Sequence, residues 1–207
     1  MSRRRKIHDH YEPRIHPLRE SFDVLDWADA GSQIARFKVL ADHVDIAGKC
    51  LLDVGCGLGD LWHYLNLRGI AVNYTGVDLL AKMIAEAQRR CPGARLVVGD
   101  VFKGEALAGE TFDVVFCSGA FNLNLGNNKQ FLRQAVRRLL ELSHRTVAFN
   151  LLHQRARRLR SSKLYYYYDP RDVLRFVESL GCGARILDDY LPNDFTVVCE
   201  KTKEPGT

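Results

Sequence analysis

No stretch of eighteen apolar residues occurs in this 207-residue chain, which excludes a membrane-spanning helix of ordinary length. No apolar segment follows the positively charged opening MSRRRKIHDHYEPRIHPLRE, so the core of an export signal is missing and a cytoplasmic protein is expected. Six cysteines are present (Cys50, Cys56, Cys91, Cys117, Cys182 and Cys199), but none forms a C-x-x-C pair. That usage fits small buried thiols in a reducing compartment; a disulfide scaffold or a zinc site is not expected, and no metal is. Internal repeats are missing too, and Tyr165-Tyr166-Tyr167-Tyr168 is the one biased run.

What remains is an ordinary globular composition, 46% hydrophobic and 27% charged, sized for one domain with a decorated end. Thirty Lys and Arg against 25 Asp and Glu leave a net charge of +5, unevenly placed. Arg3, Arg4, Arg5 and Lys6 open the chain and read as solvated surface, the commonest fate of a charge run. Arg155, Arg157, Arg158, Arg160 and Lys163 cluster later without an acid among them. For these, solvated surface and a landing face for phosphate or RNA are both open.

From about residue 50, β-branched runs alternate with amphipathic stretches of helical spacing. Strands are expected at Cys50 to Val54, Tyr74 to Asp78, Arg95 to Gly99, Phe112 to Ser118, Thr146 to Asn150, Ala184 to Leu187 and Phe195 to Glu200. Helices are expected at Asp60 to Arg68, Ala81 to Arg90, Lys129 to Leu142 and Pro170 to Leu180. This alternation implies an α/β fold with a doubly wound, mostly parallel sheet. The last two strands have no helix between them, so they pair antiparallel, the final one inserting beside the fifth. Residues 1–45 read as an N-terminal extension with one cap helix near Ser32 to Val44, and 46–202 as a Rossmann-like domain.

The most informative segment is Leu51-Leu52-Asp53-Val54-Gly55-Cys56-Gly57-Leu58-Gly59-Asp60. A buried strand runs into glycines and then a helix, which sets a bare backbone turn where open α/β sheets bind ligands. The spacing is G-x-G-x-G, with Asp60 where a dinucleotide fingerprint has its third glycine. A carboxylate there repels pyrophosphate, and Asp53 adds a second one read as facing the same crevice. Both suit a ligand with positive charge and no phosphate, and S-adenosylmethionine fits that description. Asp78 ends the second strand, nineteen positions after Gly59, where a carboxylate accepts ribose hydroxyl protons. Its alternative role is a helix N-cap. Asp100 ends the third strand, with Val101 and Phe102 available to flank an adenine ring; Gly99-Asp100 alone signals only a turn.

The order LLDVGCGLGD, TGVDLLAKMIAEAQ, LVVGDVF, FDVVFCSGAFNL resembles that of class I S-adenosylmethionine-dependent methyltransferases, over roughly Gly48 to Glu200. The chain looks closest to a bacterial stand-alone group of unassigned substrate, through Trp27, Gln33, Arg36-Phe37, Ala148-Phe149-Asn150, Tyr167-Tyr168-Asp169-Pro170 and Asp189-Tyr190-Leu191 to Asp194-Phe195-Thr196. The resemblance implies a seven-stranded sheet of order 3-2-1-4-5-7-6 with S-adenosylmethionine over strands one to four, S-adenosylhomocysteine being the product. It further implies that Asp53 and Gly55, Cys56, Gly57 and Gly59 line the methionine moiety, that Asp78 binds the ribose, and that Leu79 beside it is at the cofactor. Asp100, Val101, Phe102 and Met83 would hold adenine, Ser118 would close the site, and Arg36 would pair with the cofactor carboxylate; a surface arginine is its other reading.

Methyl transfer from a sulfonium needs alignment and exclusion of water more than it needs a catalytic residue. After the fourth strand comes Cys117-Ser118-Gly119-Ala120-Phe121-Asn122, not an Asn-Pro-Pro-aromatic box, which disfavours planar-amide and exocyclic-amine acceptors. Candidates for the acceptor pocket are Asn122, Asn150, His153, Tyr168, Tyr190 and Asp194, with Trp27 and Tyr11 as a cap. A small-molecule acceptor methylated on O, N or S is the leading expectation. The alternatives are an RNA methyltransferase using Arg155 to Lys163 and a non-catalytic cofactor-binding protein.

Overall fold

The computed structural model describes residues 2–158 and 163–201, apart from the side chains of 157 and 158. Seven strands form one sheet of order β3-β2-β1-β4-β5-β7-β6, the order that the resemblance implies. They are β1 (Cys50–Val54), β2 (Asn73–Asp78), β3 (Arg95–Val98), β4 (Phe112–Cys117), β5 (Ser143–Leu152), β6 (Cys182–Leu187) and β7 (Asp194–Lys201). The pairs among β1 to β5 are parallel, and β7 runs antiparallel between β5 and β6. β5 is longer than expected at both ends. Past Asn150 it stays in register with β7, Leu151 opposite Phe195 and Leu152 opposite Asp194.

Alternation along the central strands supplies two cores. Val115 and Cys117 of β4 face one side, with Val147 and Phe149 of β5, and are covered by Phe131, Ala135 and Leu139 of helix α6 (Asn128–Glu141). Val114 and Phe116 face the other, against Phe37 and Leu40 of α3 (Ala30–His43) and Leu61 and Leu65 of α4 (Asp60–Leu67). Side chains at successive positions of a strand point to opposite faces, so an apolar run buried on both sides is what a central parallel strand requires. The remaining long helices are α5 (Ala81–Arg90) and α7 (Pro170–Glu178). α7 starts on Asp169, whose carboxylate accepts from Arg171 N–H, with Pro170 in the first turn.

The first 45 residues contain more than the single helix expected. Ahead of α3 lie α1 (Arg3–Tyr11), a 3-10 turn (Glu12–Arg14) and the one-turn α2 (Ser21–Val24). α1 carries no apolar stripe strong enough to be read from sequence; polar contacts and the packing of Ile7 and Tyr11 against the core hold it on the domain. Arg3 is ion-paired with Asp100, and Lys6 Nζ donates to Leu125 O at 3.0 Å. The opening basic run is therefore not simply solvated surface.

α3 begins in a capping box, Asp29 Oδ1 accepting from Ser32 N–H at 2.6 Å while Ser32 Oγ reaches Asp29 N–H at 3.4 Å. Its inward face carries Arg36, 2% exposed, whose guanidinium meets the Asp194 carboxylate at 2.5 Å. The same guanidinium stacks 4.0 Å from the Trp27 ring centroid. Removing one partner of a buried ion pair strands the other charge, at a cost of about 3–5 kcal/mol. Asp194→Ala is therefore expected to lower the unfolding free energy by about that much in a urea titration. Arg36→Met combined with Asp194→Leu is expected to recover most of the loss; a double variant as unstable as the single one would contradict this account.

Candidate functional site

At the carboxyl ends of β1 to β4 a pocket opens, with a cavity volume of about 120 Å³. Its floor is Val54-Gly55 at the end of β1, and one side is Asp78-Leu79-Leu80 with Met83 of α5. Asp100, Val101 and Phe102 form the next side, and Ser118-Gly119-Ala120 after β4 the far end. Over it lies a roof that sequence reasoning assigned only to Tyr11 and Trp27. α1 supplies Arg3, Ile7 and Tyr11, and the turn after α2 supplies Leu25 and Trp27.

The glycine loop is built for close approach. Gly55 and Cys56 N–H groups both donate to Val77 O, at 2.8 and 3.1 Å, folding the loop over the end of β2. Gly57 has φ +56°, and a Cβ there would stand 2.7 Å from Leu25 Cδ2. Gly119 has φ +78°, and its Cβ would stand 2.7 Å from Trp27 Cη2. Both positions need glycine, for backbone conformation and because the roof rests directly on them.

Asp78 ties the loop to the next helix, Oδ2 accepting from Gly57 N–H at 3.2 Å and Oδ1 from Leu80 N–H at 2.9 Å. Burial raises its pKa, and those backbone donors pull it back down. Asp100 is 3% exposed; Oδ1 accepts from Phe102 N–H at 3.1 Å and Oδ2 is held by Arg3. The Arg3 guanidinium also lies over Phe131, 4.6 Å from its centroid, and over Phe102 at 5.4 Å. Phe131 carried no motif that singled it out, Arg3 only a basic run that reads equally well as surface, and Gly119 lay in the segment after β4 without a role of its own.

Of the residues expected at a cofactor, Gly55, Asp78, Leu79, Met83, Asp100, Val101, Phe102 and Ser118 come together on the pocket wall. Arg36, Asp53, Cys56, Gly57 and Gly59 do not line it. Cys56 is buried beneath the loop, and Gly59 begins α4 with the Cys91 thiol against it. Asp60, beside the loop, is already taken: Ser21 Oγ and Gln33 Nε2 both donate to its Oδ2.

Asp53 does not face the crevice as expected. It is 4% exposed behind the glycine loop, accepting from the Tyr74 hydroxyl at 2.8 Å. Strand alternation sends it to the face opposite the ligand side of Val54.

The acceptor candidates also lie off the wall. Asn150 Oδ1 accepts from Gly119 N–H at 2.8 Å, and its Nδ2 reaches toward Asp194 at 3.5 Å. Tyr190 and Thr196 share a hydroxyl–hydroxyl bond of 2.9 Å. These residues form, with Arg36, a buried polar layer that supports Gly119 and Trp27 from below. Tyr168 is buried with its hydroxyl on Phe121 O at 3.2 Å. Asn122 is buried, and its Oδ1 has no partner. His153 packs edge-on against Phe195, and burial lowers its pKa, with Arg155 acting in the same direction. Arg155 itself holds the hairpin turn, bonding Asp188, Leu191 and Pro192. Arg160 lies outside the described residues.

Among the described residues no group of three or more His, Cys, Asp or Glu is arranged to hold a metal ion. No helix among them is long and apolar enough to cross a membrane.

Residues 51–141, from β1 through α6, match the family model of a methyltransferase domain. With the strand order and the four motifs in place along those strands, the assignment follows. That segment is a methyltransferase domain, and the sheet has the fold of the class I S-adenosylmethionine-dependent methyltransferases. This methyltransferase is 27% identical over 177 residues to demethylmenaquinone methyltransferase of Thermotoga maritima, covering 83% of the chain and 75% of that protein. It is 28% identical over 154 residues to a Mycobacterium tuberculosis protein named as a methyltransferase, covering 72% and 91%. Among solved structures, magnesium protoporphyrin IX methyltransferase from Synechocystis superposes with a TM-score of 0.67 over 97% of this chain and 100% of that one. At 14% identity that likeness bears on the fold alone.

The buried carboxyl of Asp53 gives a test of how tightly the glycine loop is sealed. Burial pushes its pKa up to about 7, the Tyr74 hydroxyl opposing the rise. An unfolded Asp titrates near 4, so between about pH 4 and 7 the folded chain holds a proton that the unfolded chain has released. Stability therefore falls as pH rises through that window. Asp53→Asn removes this dependence while keeping an acceptor for Tyr74. Thermal melts are expected to show the variant gaining on the native chain from pH 4 to 7; a constant difference would contradict the buried-carboxyl account.

Proposed function

We propose that this methyltransferase transfers the methyl group of S-adenosylmethionine to an O, N or S atom of a small, largely apolar molecule seated under the N-terminal roof. The observation that carries this reading is the roof itself. Ile7, Tyr11, Leu25 and Trp27 enclose the pocket from above with apolar and aromatic surface, which suits a compact acceptor better than a polymer.

The wall residues fit the cofactor. Ser118 Oγ and Trp27 Nε1 are buried without a partner, and both residues line the pocket, so polar groups of a ligand have somewhere to bond. In this reading Asp78 at the end of β2 accepts from ribose hydroxyls with the lone pairs its backbone bonds leave, and Asp100 at the end of β3, held by Phe102 N–H and Arg3, borders the adenine. Met83, Val101 and Phe102 supply the apolar faces for the ring. When bound, the cofactor brings the methyl electrophile and its own leaving group. What this chain contributes is alignment and a dry site: the glycine loop allows close approach, Gly119 leaves space beneath Trp27, and the roof excludes water. A relative named for demethylmenaquinone, a small molecule, supports the acceptor class.

Two measurements test the reading. Asp78→Asn is expected to weaken S-adenosylhomocysteine binding by about tenfold in calorimetry, the effect of losing one charge-assisted hydrogen bond. Unchanged affinity would remove Asp78 from the ribose. Methyl-labelled S-adenosylmethionine incubated with the protein and a fractionated bacterial extract is expected to label the small-metabolite fraction. Label found instead in RNA, and lost on ribonuclease treatment, would overturn the small-molecule reading.

A further inference from the structure

Two non-glycine residues among those described have positive φ, Asp26 at +61° and Leu107 at +59°. Asp26 closes α2. Trp27 N–H donates to Phe22 O at 2.8 Å and Asp26 N–H to Asp23 O at 3.4 Å, the paired bonds of a Schellman end, with Asp26 at the position where glycine is preferred. A Cβ in the left-handed region is unfavourable, though Asp tolerates it better than most residues. A side chain kept at such a place calls for an account of what it does.

Its carboxylate joins three parts of the chain. Asp26 Oδ2 bonds His10 Nε2 of α1 at 2.8 Å and accepts from the Tyr165 hydroxyl. The His10 side chain is 9% exposed, and its ring meets that of Tyr11 edge-on, centroids 4.6 Å apart at 88°. Tyr165 lies in the strand bridge to Leu123, itself on the pocket wall. On either side of Asp26, Leu25 rests on Gly57 and Trp27 on Gly119. The left-handed turn thus sends the carboxylate away from the pocket and its two neighbours into it.

We infer that Asp26 is a positioning residue for methyl transfer, its carboxylate fastening α1 and the Tyr165 segment to the turn that carries Leu25 and Trp27, and so holding the roof shut over cofactor and acceptor. The inference rests on the pocket being the cofactor site. If it is correct, the rate at which cofactor product leaves depends on a residue that does not touch it. The His10–Asp26–Tyr165 contacts act through Tyr11, Leu25 and Trp27, which line the pocket.

The test uses the full chain, S-adenosylhomocysteine as probe, and three variants: Asp26→Gly, Asp26→Asn and Tyr165→Phe. Glycine removes the carboxylate and relieves the backbone; asparagine tolerates the same backbone and keeps one acceptor. Melting temperature, the dissociation rate followed by tryptophan fluorescence, and amide exchange of residues 3–11 are read for each. Asp26→Gly is expected to melt within a few degrees of the native chain or above it, yet to release S-adenosylhomocysteine about tenfold faster, as loss of a hydrogen bond to a charged group implies. Amide protection of residues 3–11 is expected to drop with it. Asp26→Asn and Tyr165→Phe are expected to show smaller increases of about threefold, one contact being lost rather than all.

Release within twofold of native in a stably folded Asp26→Gly, with α1 still protected, would reduce Asp26 to a helix stop and overturn the inference. Should Asp26→Gly fail to fold, the other two variants decide by the same criterion. If the native chain does not bind S-adenosylhomocysteine, the cofactor reading fails. The exchange of residues 3–11 then decides the fastening on its own: protection lost in the variants upholds it, and protection unchanged overturns it.

Discussion

The buried contact between Arg36 and Asp194 is the constraint on which the upper half of this molecule depends. It joins the helix before the first strand to the strand that closes the sheet, with both charges removed from water. Such a pair contributes little net stability compared with apolar packing, but it tolerates few alternative arrangements. Here it fixes more than two side chains. Trp27 stacks on the guanidinium, Asn150 bonds both toward the carboxylate and to the Gly119 backbone, and Tyr190 packs beside it through Thr196. The far end of the pocket is thus set from underneath by a polar layer rather than by the apolar core.

Above that layer, sheet and N-terminal segment divide the work. Strand ends supply rigid carboxylates and a bare loop, each fixed by backbone hydrogen bonds. The first 27 residues supply apolar and aromatic surface on small elements held by polar contacts: Arg3 on Asp100, Lys6 on Leu125 O, and Ser21 on Asp60. A site assembled in this way has a stiff floor and a separable cover, which suits a reaction whose barrier is lowered mainly by alignment and dryness.

The fold was legible because apolar runs buried on both faces leave little ambiguity. Phe112 to Cys117 has no reading other than a central strand, and the glycine spacing after Val54 marked the ligand end of the sheet. The pocket wall at Asp78 and Asp100 was legible for the same reason: both sit at strand ends, whose place follows from topology. The acceptor side was not. Asn150, Tyr190 and Asp194 do lie at or near strand ends, but which way each faces depends on α3, which covers them, and no local signal shows that. Asp53 was misread because one position along a strand exchanges the ligand side for the core. Arg3 escaped notice because a basic run is usually solvated, and its docking depends on a carboxylate nearly a hundred residues away.

The pairing order of the sheet bears on how the molecule is made. β7 inserts between β5 and the edge strand β6, so β6 has no neighbour to pair with until β7 emerges from the ribosome. Asp194 opens that strand, and until it arrives Arg36 is a cation with no counter-charge in the core. A nascent chain carrying β1 to β5 already has the partners of Arg3, Lys6 and Ser21, but Trp27 then stacks on a guanidinium that has no counter-charge. Contacts between such distant parts of a sequence form late in folding, after the local ones. The support beneath Trp27 is thus completed only when β7 joins the sheet.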